Sequence, residues 1–234
     1  MSEHLSFPLF HRKRTFDELT IDIDELYLLT GYREHRPTGY ALEAVNEVIA
    51  EMGKHSRPEY GFAIIPGKYD KDKIHIKDSV INTGRIIASA LRESDYYAIF
   101  LATMGPDVDT YIKRLQEEGD MVKVFFADAI GSVLAEACAA LMIEDLQKEA
   151  SSYGLLISNS YSPGYCDWVL TDQKLLFGFF PEKFCDVKLT PSCLMLPVKS
   201  VSGIIGVGEN VKKRPYGCQI CKMTSCIKNK KNAV

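Results

Sequence analysis

Apolar residues recur along this chain at two different periods, and the change from one to the other marks out its elements. Leu42, Val45, Val48, Ile49 and Met52 are spaced by three and four, which predicts an amphipathic helix near 40–53 behind the turn set Arg36-Pro37-Thr38-Gly39. Tyr60 to Ile65 reads as a strand closed by Pro66-Gly67. Lys73 to Lys77 reads as a second, in which Ile74 and Ile76 alternate with polar residues. A helix over about 79–92 is expected next, with Asp78 or Ser79 as its N-cap. Tyr96 to Thr103 is nearly continuous apolar sequence, suited to a strand covered on both faces. It breaks at Gly105-Pro106, after which Asp107 and Asp109 fall in the first turn of another helix, where the dipole favours them.

The longest periodic stretch runs from Asp120 to Ala150. Val122, Phe126, Ala129, Ile130, Val133, Leu134, Ala137, Ala140 and Leu141 form one wide apolar stripe, which predicts the helical spine of the fold. Cys138 lies on that stripe and is expected in the core. Gly131 inside the helix costs about 1 kcal/mol relative to alanine, so a close packing neighbour is expected there. Leu155-Leu156-Ile157 is a short strand, Thr171 to about Phe180 a helix ended by Pro181, and Ser200 to Val207 a strand. Residues 1–37 are polar and mixed apart from Leu26-Tyr27-Leu28-Leu29. Helices and strands are interspersed without a regular βαβ rhythm, so the expected class is α+β rather than a doubly wound sheet. The chain divides into an N-terminal segment (1–39), an α+β domain (40–210) and a basic, Cys-rich tail (211–234).

Composition changes this picture little. With 46% hydrophobic and 25% charged residues, the chain has the balance of an ordinary globular protein. No apolar run approaches the 18 or so residues of a membrane span, so no membrane partner is expected. Met1-Ser2-Glu3-His4 lacks the charged start and apolar core of a secretory leader. Seven cysteines without such a leader point to reduced thiols or metal ligands, and to a cytoplasmic setting. Net charge is −3, unevenly spread: seven Lys/Arg and no acid lie in 211–234, leaving 21 basic against 31 acidic residues before it. The acidic body argues against a nucleic-acid partner.

Candidate chemistry gathers in two places. The first is the loop Asn159 to Trp168, between a strand and a helix, where ligand loops tend to sit. Pro163 fixes φ, and Gly164 can take a positive φ and admit a ligand to the backbone. The residues alone leave Tyr165 two roles: a core ring beneath a Pro-Gly turn, or a ring offered to a ligand. Further on come Leu189-Thr190-Pro191-Ser192, with Thr190 as a possible helix or turn cap, then Met195-Leu196-Pro197 and Ser200-Val201-Ser202-Gly203. Gly203, Gly206 and Gly208 are not followed by Gly-Lys-Ser/Thr, which favours a glycine-rich strand end over a phosphate loop.

In order and spacing, these motifs resemble the activation (reactivation) domain of cobalamin-dependent methionine synthase, over about residues 40–208. The resemblance implies a compact α+β domain around an antiparallel sheet with packed helices. It also implies a chain of that family acting separately, docking on a cobalamin-carrying methionine synthase or other corrinoid methyltransferase. There it would present S-adenosylmethionine (AdoMet) to the corrinoid during reductive reactivation. By the same resemblance Ser160, Ser162, Pro163, Gly164 and Tyr165 would line the ligand site, and Ser200, Ser202 and Gly203 would border it. The family pattern is Arg-x-x-Pro-Gly-Tyr, and its Arg holds the AdoMet carboxylate. Here Ser160 stands at that position, and a hydroxyl replaces neither the charge nor the bidentate geometry. Arg33 and Arg36 are candidate replacements, and Asp22 and Asp24 are candidates for the family's N-terminal acidic contact. The tyrosines that follow Ser-Val-Ser-Gly in the family are replaced by Ile204-Ile205-Gly206.

The second place is Cys218-x-x-Cys221-x4-Cys226. Three thiolates at this spacing can share a zinc ion or an iron–sulfur cluster, with Cys166, Cys185 or Cys193 as a fourth ligand. Reduced, exposed thiols and a redox disulfide are the other readings. A cluster there would suit an accessory protein that passes electrons from a donor protein to a corrinoid protein without binding AdoMet. The five histidines are scattered, with no His-Glu-x-x-His, and there is no Gly-x-Ser-x-Gly. No hydrolytic site is expected, and no histidine is assigned a role.

Overall fold

The structure, a computed structural model, describes residues 5–214. In chain order the elements are β1 (Phe10–Lys13), α1 (Ile23–Leu29), α2 (Tyr40–His55), β2 (Glu59–Asp70), β3 (Lys73–Ile76), β4 (Ser79–Ile81), α3 (Gly84–Ala90), β5 (Tyr96–Thr103), α4 (Pro106–Glu118), α5 (Met121–Ser152), β6 (Leu156–Tyr161), α6 (Gln173–Phe177), β7 (Lys188–Leu189), β8 (Met195–Leu196) and β9 (Ser200–Gly208). The main sheet runs β4-β3-β2-β5-β9-β6, with β1 joined to β2 and every pairing antiparallel. This is the α+β class read from the sequence.

Alternation along the central strands builds two cores. Tyr60, Phe62 and Ile64 of β2 and Tyr96, Ala98 and Phe100 of β5 face α2, α4 and α5. Ile65, Tyr97 and Ile99 face the opposite way, against β3, β4, α3 and Trp168. β5 is therefore buried at all eight positions, which accounts for its unbroken apolar sequence.

α5 begins at Asp120, whose carboxylate accepts the Lys123 N–H at 3.1 Å. It packs between the sheet and α2, and so buries more than one stripe: Val124, Ala127, Ala135 and Met142 are interior along with Phe126, Ile130 and Leu134. Val122, expected on the stripe, is exposed. Contrary to the expectation that no run nears a membrane span, α5 is long and apolar enough to cross one by length and composition. Half of its most apolar stretch is buried inside the fold. Cys138 is interior, and burial pushes its thiol up to about 12.

The N-terminal segment is tied to the same body. β1 pairs with the first four residues of β2. Arg12 and Arg14 each donate to Asp145 Oδ2 on α5 at 2.8 Å, and the Tyr60 hydroxyl donates to the same oxygen at 2.6 Å. Burial alone would raise the Asp145 carboxyl, but hydrogen bonds from Tyr60 and Arg14 and the two guanidinium charges outweigh it and hold it below its ordinary value.

Local differences from the sequence pattern have physical causes. Residues 79–81 form β4, because a tight turn at Lys77 (φ 51) pairs Ile81 with Ile74; α3 starts only at Gly84, with Thr83 at its N-cap. β2 passes through Pro66 and Gly67, exchanging β5 as partner for β3 at that point. The helix expected over 171–180 shortens to a 3-10 turn at Leu170–Asp172 followed by α6. Thr190 caps a turn rather than a helix: its Oγ1 accepts the Leu194 N–H at 3.0 Å, inside the β7–β8 hairpin.

Candidate functional site

β6, the last strand of the sheet, delivers the chain into the 162–168 loop. Three backbone hydrogen bonds close that loop on itself: Gly164 N–H to Trp168 O (2.8 Å), Trp168 N–H to Tyr165 O (2.9 Å) and Tyr165 N–H to Ser162 O (3.4 Å). Gly164 takes φ +96, a conformation that a side chain would strain. Cys166 and Asp167 are also left-handed, at φ 51 and 71. The loop is anchored by Pro163, which is buried, and by Trp168, only 2% exposed, whose Nε1–H donates to Asp172 at 3.1 Å. Full burial of a ring of this size contributes about 2–3 kcal/mol. Between these anchors Tyr165 projects outward, 56% exposed. The core aromatic of the loop is thus Trp168, and Tyr165 is the ring left on the surface.

The second motif run lies alongside. Tyr161 pairs with Ile204 across β6 and β9, which brings Ser202 and Gly203 next to the start of the loop. Gly203 is glycine for a packing reason: a Cβ there would meet the Tyr161 carbonyl oxygen at 2.3 Å and the Phe100 ring at 2.8 Å. Ser202 is interior, its Oγ accepting from Gln173 Nε2 at 3.1 Å. Ser200 Oγ donates to Pro197 O at 2.7 Å and lies 2.8 Å from Thr103 Oγ1. Ser160 sits in β6 opposite Ile205, half-buried, and Ser162 is half-buried at the loop's start. Gly206 and Gly208 belong to β9, pressed against Ser94 and against Glu93 and Asp95, as befits a glycine-rich strand.

Of the candidate cations, Arg36 is engaged with Asp24 at 2.8 Å and lies over the Tyr27 ring, while Arg33 is exposed. The start of α3 is a neighbour that sequence reasoning missed. A Cβ on Gly84 would contact the Cys166 carbonyl and Asp167, which places Thr83 and Arg85 next in chain to the loop's edge. Thr83 Oγ1 is buried and has no hydrogen-bond partner among the described residues. The local signal was Thr83-Gly84-Arg85 itself, a polar helix start hidden inside an assumed helix.

Two cavities formed by the described residues stand out. One of about 440 Å³ is lined by Leu5, Phe7, Ile64, Pro66, Lys77 and Phe179 among others, and one of about 260 Å³ by Leu101, Phe177, Phe180, Lys183, Phe184 and Val187 among others. Neither takes a residue from the loop or from 200–203. A ligand against Tyr165 would therefore rest on the loop's outer surface and outside both cavities. The cysteines Cys218, Cys221 and Cys226 lie outside the described residues; of their proposed fourth ligands, Cys185 and Cys193 are buried and Cys166 is half-buried.

This fold is that of a reactivation domain. The chain aligns with the crystal structure of the MetH reactivation domain bound to AdoHcy at a TM-score of 0.69 and 17% identity, over 90% of this chain and 82% of that one. Residues 85–223 match the model of the vitamin B12-dependent methionine synthase activation domain, and the chain belongs to that family. A comparison with individually curated proteins gave no match.

Proposed function

We propose that this protein supports reductive reactivation of a cobalamin-carrying methyltransferase, docking on it and presenting AdoMet to its corrinoid. The observation that carries the proposal is Tyr165, an exposed ring on a loop whose flanking Pro163 and Trp168 are buried, in a chain of the activation-domain family. A loop closed by its own backbone hydrogen bonds, with one exposed aromatic ring, is suited to stacking an adenine, and Gly164 lets a ligand approach the backbone. Thr83 Oγ1 offers a buried, unengaged hydroxyl beside the same loop.

The residues fit the adenosine part of AdoMet better than its carboxylate. Residues 159–168 contain no Lys or Arg. The cation nearest in chain to the loop's contact point is Arg85, which is exposed and makes no ion pair among the described residues, and we assign it the carboxylate.

AdoMet held by these residues would supply the methyl group for the partner's reduced corrinoid, with AdoHcy as the by-product and the reducing electron coming from a donor protein. The chain's own share is positioning, since no acid–base step is needed. Tyr165 and the 162–164 backbone would hold the nucleoside, and Ser200, Ser202 and Gly203 would fix the strand behind it. The setting of such a partner is the cytoplasm.

Calorimetric titration with AdoMet and AdoHcy tests the site. The expected result is saturable binding of both that Tyr165→Ala weakens at least about fivefold, since loss of ring stacking costs about 1–3 kcal/mol. Absence of binding, together with visible absorbance from a cluster after anaerobic purification, would favour the electron-carrying accessory role instead.

A further inference from the structure

Outside the loop, three ligating side chains converge where β1, β2 and the 3-10 turn Phe184–Asp186 meet. Strand register explains two of them. β1 pairs His11 with Gly61 and Lys13 with Glu59, so His11 and Glu59 share one face of the ribbon, with the side-chain gap of Gly61 opposite His11 and next to Glu59 on that face. The Phe184–Asp186 turn fills that gap: a Cβ on Gly61 would come within 2.3 Å of Phe184 Cζ. Cys185 follows Phe184 and is buried. It is held at φ 51 between Lys183 at φ 59 and Asp186 at φ 50, three left-handed non-glycine residues within four positions. Each costs about 1 kcal/mol or more. With the turn so held, Cys185 Sγ lies close to the two β-strand side chains.

A ring nitrogen of His11, a Glu59 carboxylate oxygen and Cys185 Sγ all lie within 4.8 Å of one another, and His11 Nε2 is 2.6 Å from Glu59 Oε1. We propose that these three residues form a binding site for a divalent cation of the zinc class. Four-coordinate zinc, with bonds of about 2.0–2.3 Å, places its ligand atoms about 3.3–3.7 Å apart. The widest pair must close by about 1 Å and the His11–Glu59 pair must open by about 0.7 Å, movements that rotation of the exposed His11 ring can supply. One sulfur, one imidazole and one carboxylate form a borderline-soft set that suits zinc and disfavours magnesium or calcium. Thiolate and carboxylate together neutralise a dication, and Lys13 Nζ, 3.9 Å from Glu59 Oε2, is exposed enough to turn away. His11 is 42% exposed, which leaves a solvent path and a fourth position for water. Bound metal would cross-link β1, β2 and the 184–186 turn, three segments far apart in sequence. It would use Cys185 independently of the tail cysteines.

The test uses the full chain with Cys218, Cys221 and Cys226 replaced by serine, so that the tail thiols contribute nothing. It is titrated anaerobically with Co²⁺ as a spectroscopic stand-in for zinc. The expected result is one equivalent bound per chain, with a thiolate-to-cobalt charge-transfer band and the intense visible bands of four-coordinate cobalt, all displaced by zinc. On this background Cys185→Ser removes the charge-transfer band. His11→Gln, at an exposed position, leaves the far-ultraviolet circular dichroism unchanged and weakens Co²⁺ binding at least about tenfold. No saturable cobalt binding, a charge-transfer band that survives Cys185→Ser, or unchanged affinity in His11→Gln would each overturn the proposal.

Discussion

Lys199 crosses α5 at Gly131. A Cβ on that glycine would lie 3.0 Å from Lys199 Cγ and Cε and 3.1 Å from Cδ, so the lysine stem runs across the helix where a side chain would otherwise stand. Its Nζ is held at the far side by Asp128 Oδ1 (2.7 Å), Asp128 O (2.8 Å) and Ser132 Oγ (3.1 Å). Lys199 is 6% exposed, and it directly precedes β9, so this crossing fixes the last strand against the spine.

Gly131→Ala should therefore destabilise the protein, although alanine is the better helix former by about 1 kcal/mol. Overpacking costs about 1–3 kcal/mol, and three hydrogen bonds prevent the lysine from yielding. In urea unfolding the expected net loss is about 1 kcal/mol, and Lys199→Ala should make Gly131→Ala neutral or stabilising. A stabilising Gly131→Ala in the otherwise natural chain would show that Lys199 is free to move.

Asp145 should give acid-dependent stability. Its folded carboxyl titrates below its unfolded value, so its contribution is fully present above about pH 4, the unfolded carboxylate range. It is lost as pH falls through the folded value. Asp145→Asn should cost about 3 kcal/mol at pH 7, because it leaves Arg14 and Tyr60 facing an uncharged amide. The gap between the two proteins in urea midpoint should narrow at pH 3. An equal gap at both pH values would contradict this.

Gly203→Ala should be among the most damaging single changes. Its nearest obstruction is the Tyr161 carbonyl, which is backbone and cannot rotate away. The expected cost is about 3 kcal/mol or more, with β6 loosened from β9. Hydrogen exchange at Tyr161 and Ile204 would report that loosening; unchanged protection there would count against it.

Ser160→Arg restores the charge that the family pattern places before the Pro-Gly-Tyr loop. If Arg85 only partly fills that role, AdoMet affinity should rise at least about tenfold, as a charge-assisted pair contributes more than a hydroxyl. Arg85→Ala should lower affinity in the natural chain and have less effect beside Ser160→Arg. Calorimetry on the three variants decides it, and identical affinities would remove both residues from the site.

What could be read from the sequence followed from pattern length. α5 carries nine turns of periodic apolar residues and β5 eight consecutive buried positions, and both were legible to within two residues at their ends. The family was legible because its motifs are local and ordered along the chain. β1 was not, since Phe10-His11-Arg12-Lys13 carries no apolar alternation and is held by pairing to β2 and by Asp145, 131 residues beyond Arg14. The contact of Gly84 with the loop, and the meeting of His11, Glu59 and Cys185, likewise depend on register and on left-handed residues with no compositional mark. Gly131 is the intermediate case: its cost in a helix predicted a neighbour, and only the fold shows that the neighbour is a lysine.

On the proposed function, this chain assists a corrinoid partner. The most direct measurement mixes a cobalamin-carrying methyltransferase in its oxidised cob(II)alamin form with AdoMet and a one-electron donor. The return of methylated corrinoid is followed by visible absorbance with and without the protein. The protein is expected to accelerate that return in an AdoMet-dependent manner, and Tyr165→Ala to abolish most of the acceleration. A rate unchanged by the protein, at concentrations that saturate the partner, would contradict it.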